Sequence, residues 1–482
     1  MQTFQKAILL MMIARSNGHA NIGSAIGCLA PNVGPLLDDE QSPRRGDQRR
    51  SVTPLGTARL LARTFPFLLA ASITLPAVAE DSFLGTDAVS FSGSVEIEGT
   101  FFAKDPRFEA QDNNSVSAAV RSRLVLDWDS TNFGADSASV TIAPFVRFDP
   151  QDNERTHGDL REAKLDLRFG DIDITIGNDF IFWGKTEVDQ IVDIINQTDG
   201  VEGTDGEDKL GQPMIRVSRI VDIGEFSGEA SVFYLPYFRE RTFLGAESRL
   251  RGGALVDEDA VVFETSQEEW TPSFAARLAG FYGDFDIGVS AFHGLSRDPA
   301  FEVNPASIDP ATGTFELRPV YGRITQVGFD GQFTSDATLW KAEVIGRFDQ
   351  RNLSFEEEDY IAAIAGLEHT LFGVADSNAD FGLIAEYAYD SRGDDALTPF
   401  ENDVVLGARL ALNDTQDTSA LFTAAVDTET AETLLRIEGE RRIGEIAKLS
   451  VEAGAFLNTD EDSLADDLQD DHFLRATLAV FW

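Results

Sequence analysis

The stretch Gly184-Lys185-Thr186 has the residue types of a phosphate-binding loop and follows a strand-like segment. Its preceding glycine, Gly177, is separated from Gly184 by six residues where such a loop has four, so the backbone cradle is mis-sized. Nucleophilic catalysis needs a hydroxyl or thiol beside a base. Outside the first 79 residues the histidines are His157, His293, His369 and His472, and no Gly-x-Ser-x-Gly occurs. Ser290 and His293 fall on one extended segment at a spacing that sends them to opposite faces, so no enzyme is expected. Two acidic clusters, Glu202/Asp205/Glu207/Asp208 and Asp460/Glu461/Asp462/Asp466/Asp467/Asp470/Asp471, offer oxygen ligands for Ca²⁺ or Mg²⁺. Neither matches D-x-[DN]-x-[DN]-G. They read as solvated loops, with weak divalent bridging to anionic lipid headgroups as the intermediate reading, and no cofactor is expected.

Those residues must be carried on some element, and the commonest one here alternates. Val89, Phe91, Gly93, Val95, Ile97 and Phe101 alternate with Ser90, Ser92, Ser94, Glu96, Glu98 and Thr100. Val120, Leu124, Leu126 and Trp128 alternate with Arg121, Arg123 and Asp127, and Val140, Ile142, Val146 and Phe148 oppose Thr141 and Arg147. Ala163, Leu165, Leu167 and Phe169 oppose Lys164, Asp166 and Arg168. Later stripes pair Trp340, Ala342, Val344 and Phe348 against Lys341, Glu343 and Arg347, and Phe381 to Tyr389 against Glu386. A period of two means strands. At the carboxy end Leu474, Ala476, Leu478, Val480 and Trp482 form one wholly apolar face, opposite Arg475 and Thr477. About ten residues is the length of a tilted strand across a bilayer.

The apolar faces often end in aromatics, as an interfacial girdle requires. Connections alternate between tight turns (Phe169-Gly-Asp-Ile172, Tyr282-Gly-Asp-Phe285) and long segments near 102–116, 149–159, 180–213, 237–272, 295–318 and 458–471. A soluble sandwich has no reason to alternate so. The expected fold is all-β: a transmembrane antiparallel β-barrel of about eighteen strands, sixteen being possible, with long loops outside and short turns in the periplasm.

The chain has 482 residues, one cysteine and a formal net charge of −43. That charge excludes nucleic acid, whose phosphates it would repel. Residues 1–79 read as a leader: an upstream extension, then a signal near 58–79 with Arg59 and Arg63, an apolar core from Phe65 to Leu75, and Ala77-Val78-Ala79 before cleavage at Glu80. It holds the single cysteine, Cys28, so residues 80–482 would form one barrel without disulfides.

Residues 180–213 break the alternation. Val188, Ile191, Val192 and Ile195 have the i, i+3, i+4, i+7 spacing of a short helix, with Asp189, Asp193 and Asn196 opposite. By parity this is the third outer loop. The whole of 80–482 resembles bacterial outer-membrane porins, and Trp183-Gly184…Asn196-Gln197-Thr198-Asp199 after Gly170-Asp171-x-x-Ile174-x-Ile176-Gly177 also looks like barrel families with a WG…NxxD signature.

The resemblance implies that the third loop folds into the lumen, its carboxylates facing basic residues on the wall. The matching carboxylates are Asp179, Glu187, Asp189, Asp193 and Asp199, with Lys185 among them. The wall residues are Arg121, Arg123, Arg147, Arg161, Lys164 and Arg168. Opposed charge rows bias ion passage. On the lipid face each arginine would cost roughly 2–4 kcal/mol near the midplane. Pairing with Asp127, Asp166 and Glu162 merely to stiffen the wall is the alternative. The apolar stripe ending at Trp482 resembles the signal read by the barrel assembly machinery. Expected partners are outer-membrane lipid, lipopolysaccharide and small solutes, with a trimer possible. The expected function is passive diffusion of small hydrophilic solutes or ions across the bacterial outer membrane. A plugged structural or surface-interaction barrel is one alternative. A channel for hydrophobic substrates lined by Phe180, Phe182 and Trp183 is another.

Overall fold

The computed structural model describes residues 86–128, 134–203, 206–310, 314–459, 463 and 465–482. The leader expected at 1–79 lies outside the described residues. Strands follow in the order β1 (Thr86–Phe102), β2 (Asn114–Trp128), β3 (Ser137–Phe148), β4 (Gly158–Phe169), β5 (Ile172–Asp179), β6 (Gln212–Ile223) and β7 (Phe226–Leu235). The short β8 (Leu255–Val256) and β9 (Val262–Phe263) precede β10 (Ser273–Tyr282) and β11 (Phe285–Leu295). The short β12 (Ala300–Val303) and β13 (Glu316–Tyr321) precede β14 (Arg323–Ser335), β15 (Thr338–Arg351), β16 (Glu357–Leu371), β17 (Asp380–Asp390) and β18 (Asn402–Ala411). The chain ends with β19 (Ser419–Asp427), β20 (Thr433–Ile443), β21 (Ala447–Leu457) and β22 (Phe473–Phe481).

Apart from the four short strands, each pairs antiparallel with the next, and β22 returns to β1 from Ser94↔Phe481 to Phe102↔Phe473. The result is a closed barrel of 18 strands. Closure leaves no open edge, so the ladders satisfy each other's backbone polar groups. Register then decides every side chain's face. Val95 faces Val120 and Val480 across its two ladders, and Ile97 faces Ala118 and Leu478. That series is exposed around the outer surface: Phe91, Ile97, Phe148, Ile215, Phe274, Val344, Leu406 and Leu478 all show large fractions of their side chains. The other series holds Glu98, Arg147, Gln326, Asp330, Glu343, Arg347 and Glu386, all buried within the ring. A soluble protein puts these classes the other way round. An apolar band outside and a polar lumen suit hydrocarbon.

Connections at one end are short, from two residues at 170–171 and 283–284 to eight at 372–379. Gly170 and Gly283 open two of them at φ 63° and 59°, a region that costs glycine nothing. At the other end lie the long segments 103–113, 149–157, 180–211, 236–272, 296–322 and 458–472. Two of them build a small sheet that sequence alternation did not reveal. In it β13 pairs antiparallel with β12 and parallel with β8 and β9, beside a cluster of Phe238, Leu295 and Tyr321.

Leu474, Leu478, Val480 and Trp482 are exposed on the outer face of β22, and Ala476 shares that face by register, opposite Gly99. Trp482 exchanges backbone hydrogen bonds with Gly93 at 3.1 and 3.4 Å. A Cβ on Gly93 would stand 2.4 Å from the Trp482 ring and 2.5 Å from the Arg121 carbonyl. A side chain at residue 93 would therefore force the Trp482 ring and the adjoining β2 backbone to shift. Gly93→Val should destabilise closure by about 1–3 kcal/mol through overpacking. The check is the fraction of SDS-resistant, heat-modifiable barrel after refolding, which should fall well below that of Ser92→Ala on the neighbouring lumen-facing position.

Candidate lumen constriction

Residues 180–211 leave β5 and return at β6, but between those strands they cross the barrel. Asn196 ties the two legs at their base: it accepts from Ile181 N–H (3.0 Å) and donates to the carbonyls of Asp179 (2.9 Å) and Leu210 (2.8 Å). Ile181, Trp183, Val192, Ile194 and Ile195 then pack on Met214, Phe233, Phe292, Ile345 and Tyr360 of the inner wall. Trp183 lies edge-on to Phe233 at 5.7 Å, with the Arg277 guanidinium 5.0 Å over its ring. Burying each of these aliphatic side chains contributes about 1.5–3 kcal/mol. The lumen therefore holds an apolar core on one side.

The expected helix at Val188–Ile195 does not form; the segment is turns and irregular chain. Two physical reasons stand out. Extended backbone advances about 3.3 Å per residue against 1.5 Å in a helix, and this loop must reach the opposite wall. Its N–H groups also have other acceptors. Glu343 of β15 takes the N–H groups of Lys185 (2.5 Å), Thr186 (3.0 Å) and Val192 (3.3 Å), with the Thr186 hydroxyl at 2.9 Å. Glu386 of β17 takes those of Glu187 (3.0 Å) and Val188 (3.1 Å).

The charged residues of the loop separate into three groups. At the tip, Glu187 faces the far wall, 2.7 Å from Arg409 of β18 and 3.4 Å from Lys341 of β15, while Lys185 pairs with Asp286 at 2.6 Å. Asp189 and Asp193 turn inward on the loop: Asp189 accepts from Gln190 N–H, and Asp193 accepts from Trp183 N–H and lies 3.7 Å from Lys209. On the return leg Asp199 meets Arg161 (3.0 Å), the Thr242 hydroxyl (2.9 Å) and His157 (3.3 Å). Beside it Glu202, read from sequence only as part of an acidic cluster, grips Arg147 at 2.7 and 2.8 Å.

On the wall, Arg147 is buried and also 3.4 Å from Glu98, so it anchors the loop and does not face open lumen. Lys164 bridges Asp179 (2.5 Å) and Glu162 (2.9 Å). Arg168 pairs with Asp173 at 2.7 Å, by the tight-turn end. Arg121 and Arg161 stack on Phe145, their guanidinium carbons 4.5 and 4.6 Å from its ring centre. Arg121, Arg123 and Arg161 line a cavity of about 970 Å³ left between this wall and the loop. Phe180 lines it too and Phe182 is exposed, whereas Trp183 is buried. Asp205, Asp460, Glu461 and Asp462 lie outside the described residues. Asp466 and Asp471 of the second acidic cluster pair with Arg107 (2.8 Å) and Arg249 (2.6 Å). Ser290 sits on the ladder opposite Arg277, and His293 instead bonds the Thr325 hydroxyl at 2.9 Å.

Sequence reasoning named Glu343 and Glu386 only as the polar sides of stripes, and did not single out Arg409, Phe145 or Asn196. A usable signal existed for the first two. Each is an acid flanked two residues away by aliphatics on the same face, Ile345 and Ile384/Ala388.

Titration couples to this anchoring. Burial pushes Asp189 and Asp193 up to about 6. Burial would lower His157, but the hydrogen bond and charge of Asp199, with Glu202 behind it, hold the imidazole above its ordinary value. For all three the folded pKa is raised. Their contribution is fully present below the unfolded values and is lost as pH rises through the folded ones. Asp199, against its own burial, is held low by His157 and Arg161, so its contribution is present above the ordinary carboxylate value and is lost as pH falls through the lowered one.

No protein-family profile and no curated protein matches the sequence. Among solved structures, a variant of Rhodopseudomonas blastica porin with five substitutions shares 11% identity, covering 82% of this chain and 100% of its own, at a TM-score of 0.39. A triple mutant of the same porin shares 10% identity at the same coverage and TM-score. No residue of this chain is assigned by that likeness.

Two measurements test the anchoring. Glu343→Ala leaves three loop N–H groups without their acceptor, at about 1–3 kcal/mol each where no water replaces it. Hydrogen exchange at residues 185–192 should then rise by at least about tenfold, a 1.4 kcal/mol change, with the barrel ladders unaffected. In the unaltered protein, exchange protection of 185–199, corrected for intrinsic rates, should fall between pH 5 and pH 8. His157→Asn should remove the part of that fall above pH 6.5.

Proposed function

We propose that the chain is a passive channel of the bacterial outer membrane for small hydrophilic solutes and ions. The observation that carries this reading is the inverted barrel, apolar outside and charged within, whose lumen is narrowed by the 180–211 loop and keeps a cavity along Arg121, Arg123 and Arg161. The long-loop end faces outward in this reading and Trp482 meets the periplasmic interface. There the outward stripe from Leu474 to Trp482 serves the assembly machinery, and lipid and lipopolysaccharide surround the belt. Solute passes on the arginine side, because the opposite side is filled by the loop's apolar core.

A second reading, a plugged structural barrel, draws on that same core and on a tip fastened at Glu343, Glu386 and Arg409. Planar-bilayer recording separates the two. Folded protein should give stable ohmic steps, and unclamping the tip by Glu187→Ala with Glu386→Ala should enlarge or destabilise them. If folded barrel conducts nothing while the unclamped variant opens, the plugged reading holds.

A further inference from the structure

The cavity beside the loop has a chemistry more specific than a water-filled gap. Two of its arginines have terminal nitrogens that are free of hydrogen bonds among the described residues. Arg123 engages Glu162 through Nε (2.9 Å), and Arg121 engages Glu96 through Nε (3.1 Å). Among the described residues the terminal nitrogens of both make no hydrogen bond, Glu202 standing 3.6 Å from Arg121 Nη2. Within each pair the cation is the more exposed partner. Arg121 shows 36% of its side chain against 16% for Glu96, and Arg123 49% against 18% for Glu162. The water in the cavity thus meets guanidinium edges in front of the acids that balance them. Phe145, stacked between Arg121 and Arg161, fixes the plane of the first fork.

The acids of the same cavity are otherwise engaged. Glu162 is shared by Arg123 and Lys164, and Asp208 of the loop stands 3.9 Å from Arg161. Glu207 and Arg442 also line the cavity, and Arg442 pairs with Asp417 at 2.9 Å. Apolar surface completes the lining: Phe180, 38% exposed, and Phe481, 41% exposed.

A planar guanidinium edge matches a carboxylate with two parallel hydrogen bonds. We infer that this cavity is a subsite for small organic carboxylates with an apolar body. The carboxylate sits on Arg121 and Arg123, and the body lies toward Phe180 and Phe481. The inference rests on the channel reading and adds to it a preference that the chain's net charge of −43 would not suggest. A channel site must also release its solute, so affinity in the millimolar range, about 4 kcal/mol, is expected.

The test uses the folded full barrel in planar bilayers with benzoate, acetate and benzylammonium as probes. Under a KCl gradient the reversal potential should show chloride preference. Millimolar benzoate should reduce the current several-fold more than acetate, and benzylammonium should not. Arg121→Ser with Arg123→Ser should abolish the benzoate effect. Arg121→Lys with Arg123→Lys, which keeps charge and loses the fork, should weaken it while chloride preference remains. Phe180→Ala should narrow the gap between benzoate and acetate. Equal block by benzylammonium, or persistence in the serine variant, would overturn the subsite. If the barrel does not conduct, the channel reading fails separately. Calorimetric titration of the detergent-folded protein with benzoate then decides the subsite: heat that the serine pair removes supports it, and no heat from the unaltered protein refutes it.

Discussion

Everything in this molecule follows from the ladder between β22 and β1. In hydrocarbon an unpaired backbone amide or carbonyl costs several kcal/mol, so a sheet persists there only without edges. The seam from Ser94↔Phe481 to Phe102↔Phe473 removes the last two. Once the ring is closed, the period of two leaves no freedom. A residue that faces lipid on one strand forces its ladder partners to face lipid on the next, from Val95 through Val120 to Val146. The complementary set must be polar enough to line an interior that holds water.

That polar interior lets a long loop be held where an apolar one would not. Glu343 and Glu386 would be unpaired charges on the inner wall, and the loop's N–H groups would be orphaned by its irregular path. Each answers the other across the lumen. The apolar side chains of the same loop find Phe233, Phe292 and Ile345, large apolar residues on the inner face where polar ones prevail. The barrel therefore has an asymmetric bore, with a packed half and a half lined by ion pairs whose arginines face outward into water.

Much of this architecture was legible. Strand count, parity, the alternation of loop lengths and the outward stripe ending at Trp482 all follow from local alternation, which a closed sheet preserves. The lumen loop was legible in place but not in form. Val188, Ile191, Val192 and Ile195 have helical spacing, yet the segment runs as turns and irregular chain, and the N–H groups of Val188 and Val192 go to Glu386 and Glu343, acceptors on distant strands that no local pattern reveals. The pairing of charges was the least legible part. Asp199 meets Arg161, as opposed rows suggest, but Glu187 crosses to Arg409, and Arg147 takes Glu202. Those choices depend on how far a chain reaches across a bore whose width no local pattern records.

The central claim is that open lumen runs along the wall of β2 to β4 and that the wall near β15 lies behind the loop. Cysteine accessibility tests this most directly, since no described residue is a cysteine. An anionic methanethiosulfonate applied to Arg123→Cys in a conducting bilayer should react within seconds and change the current in steps. The same reagent on Ile345→Cys, 2% exposed beneath the loop, should leave the current unchanged. Reaction at residue 345 with none at 123 would place the passage on the other side and contradict the account.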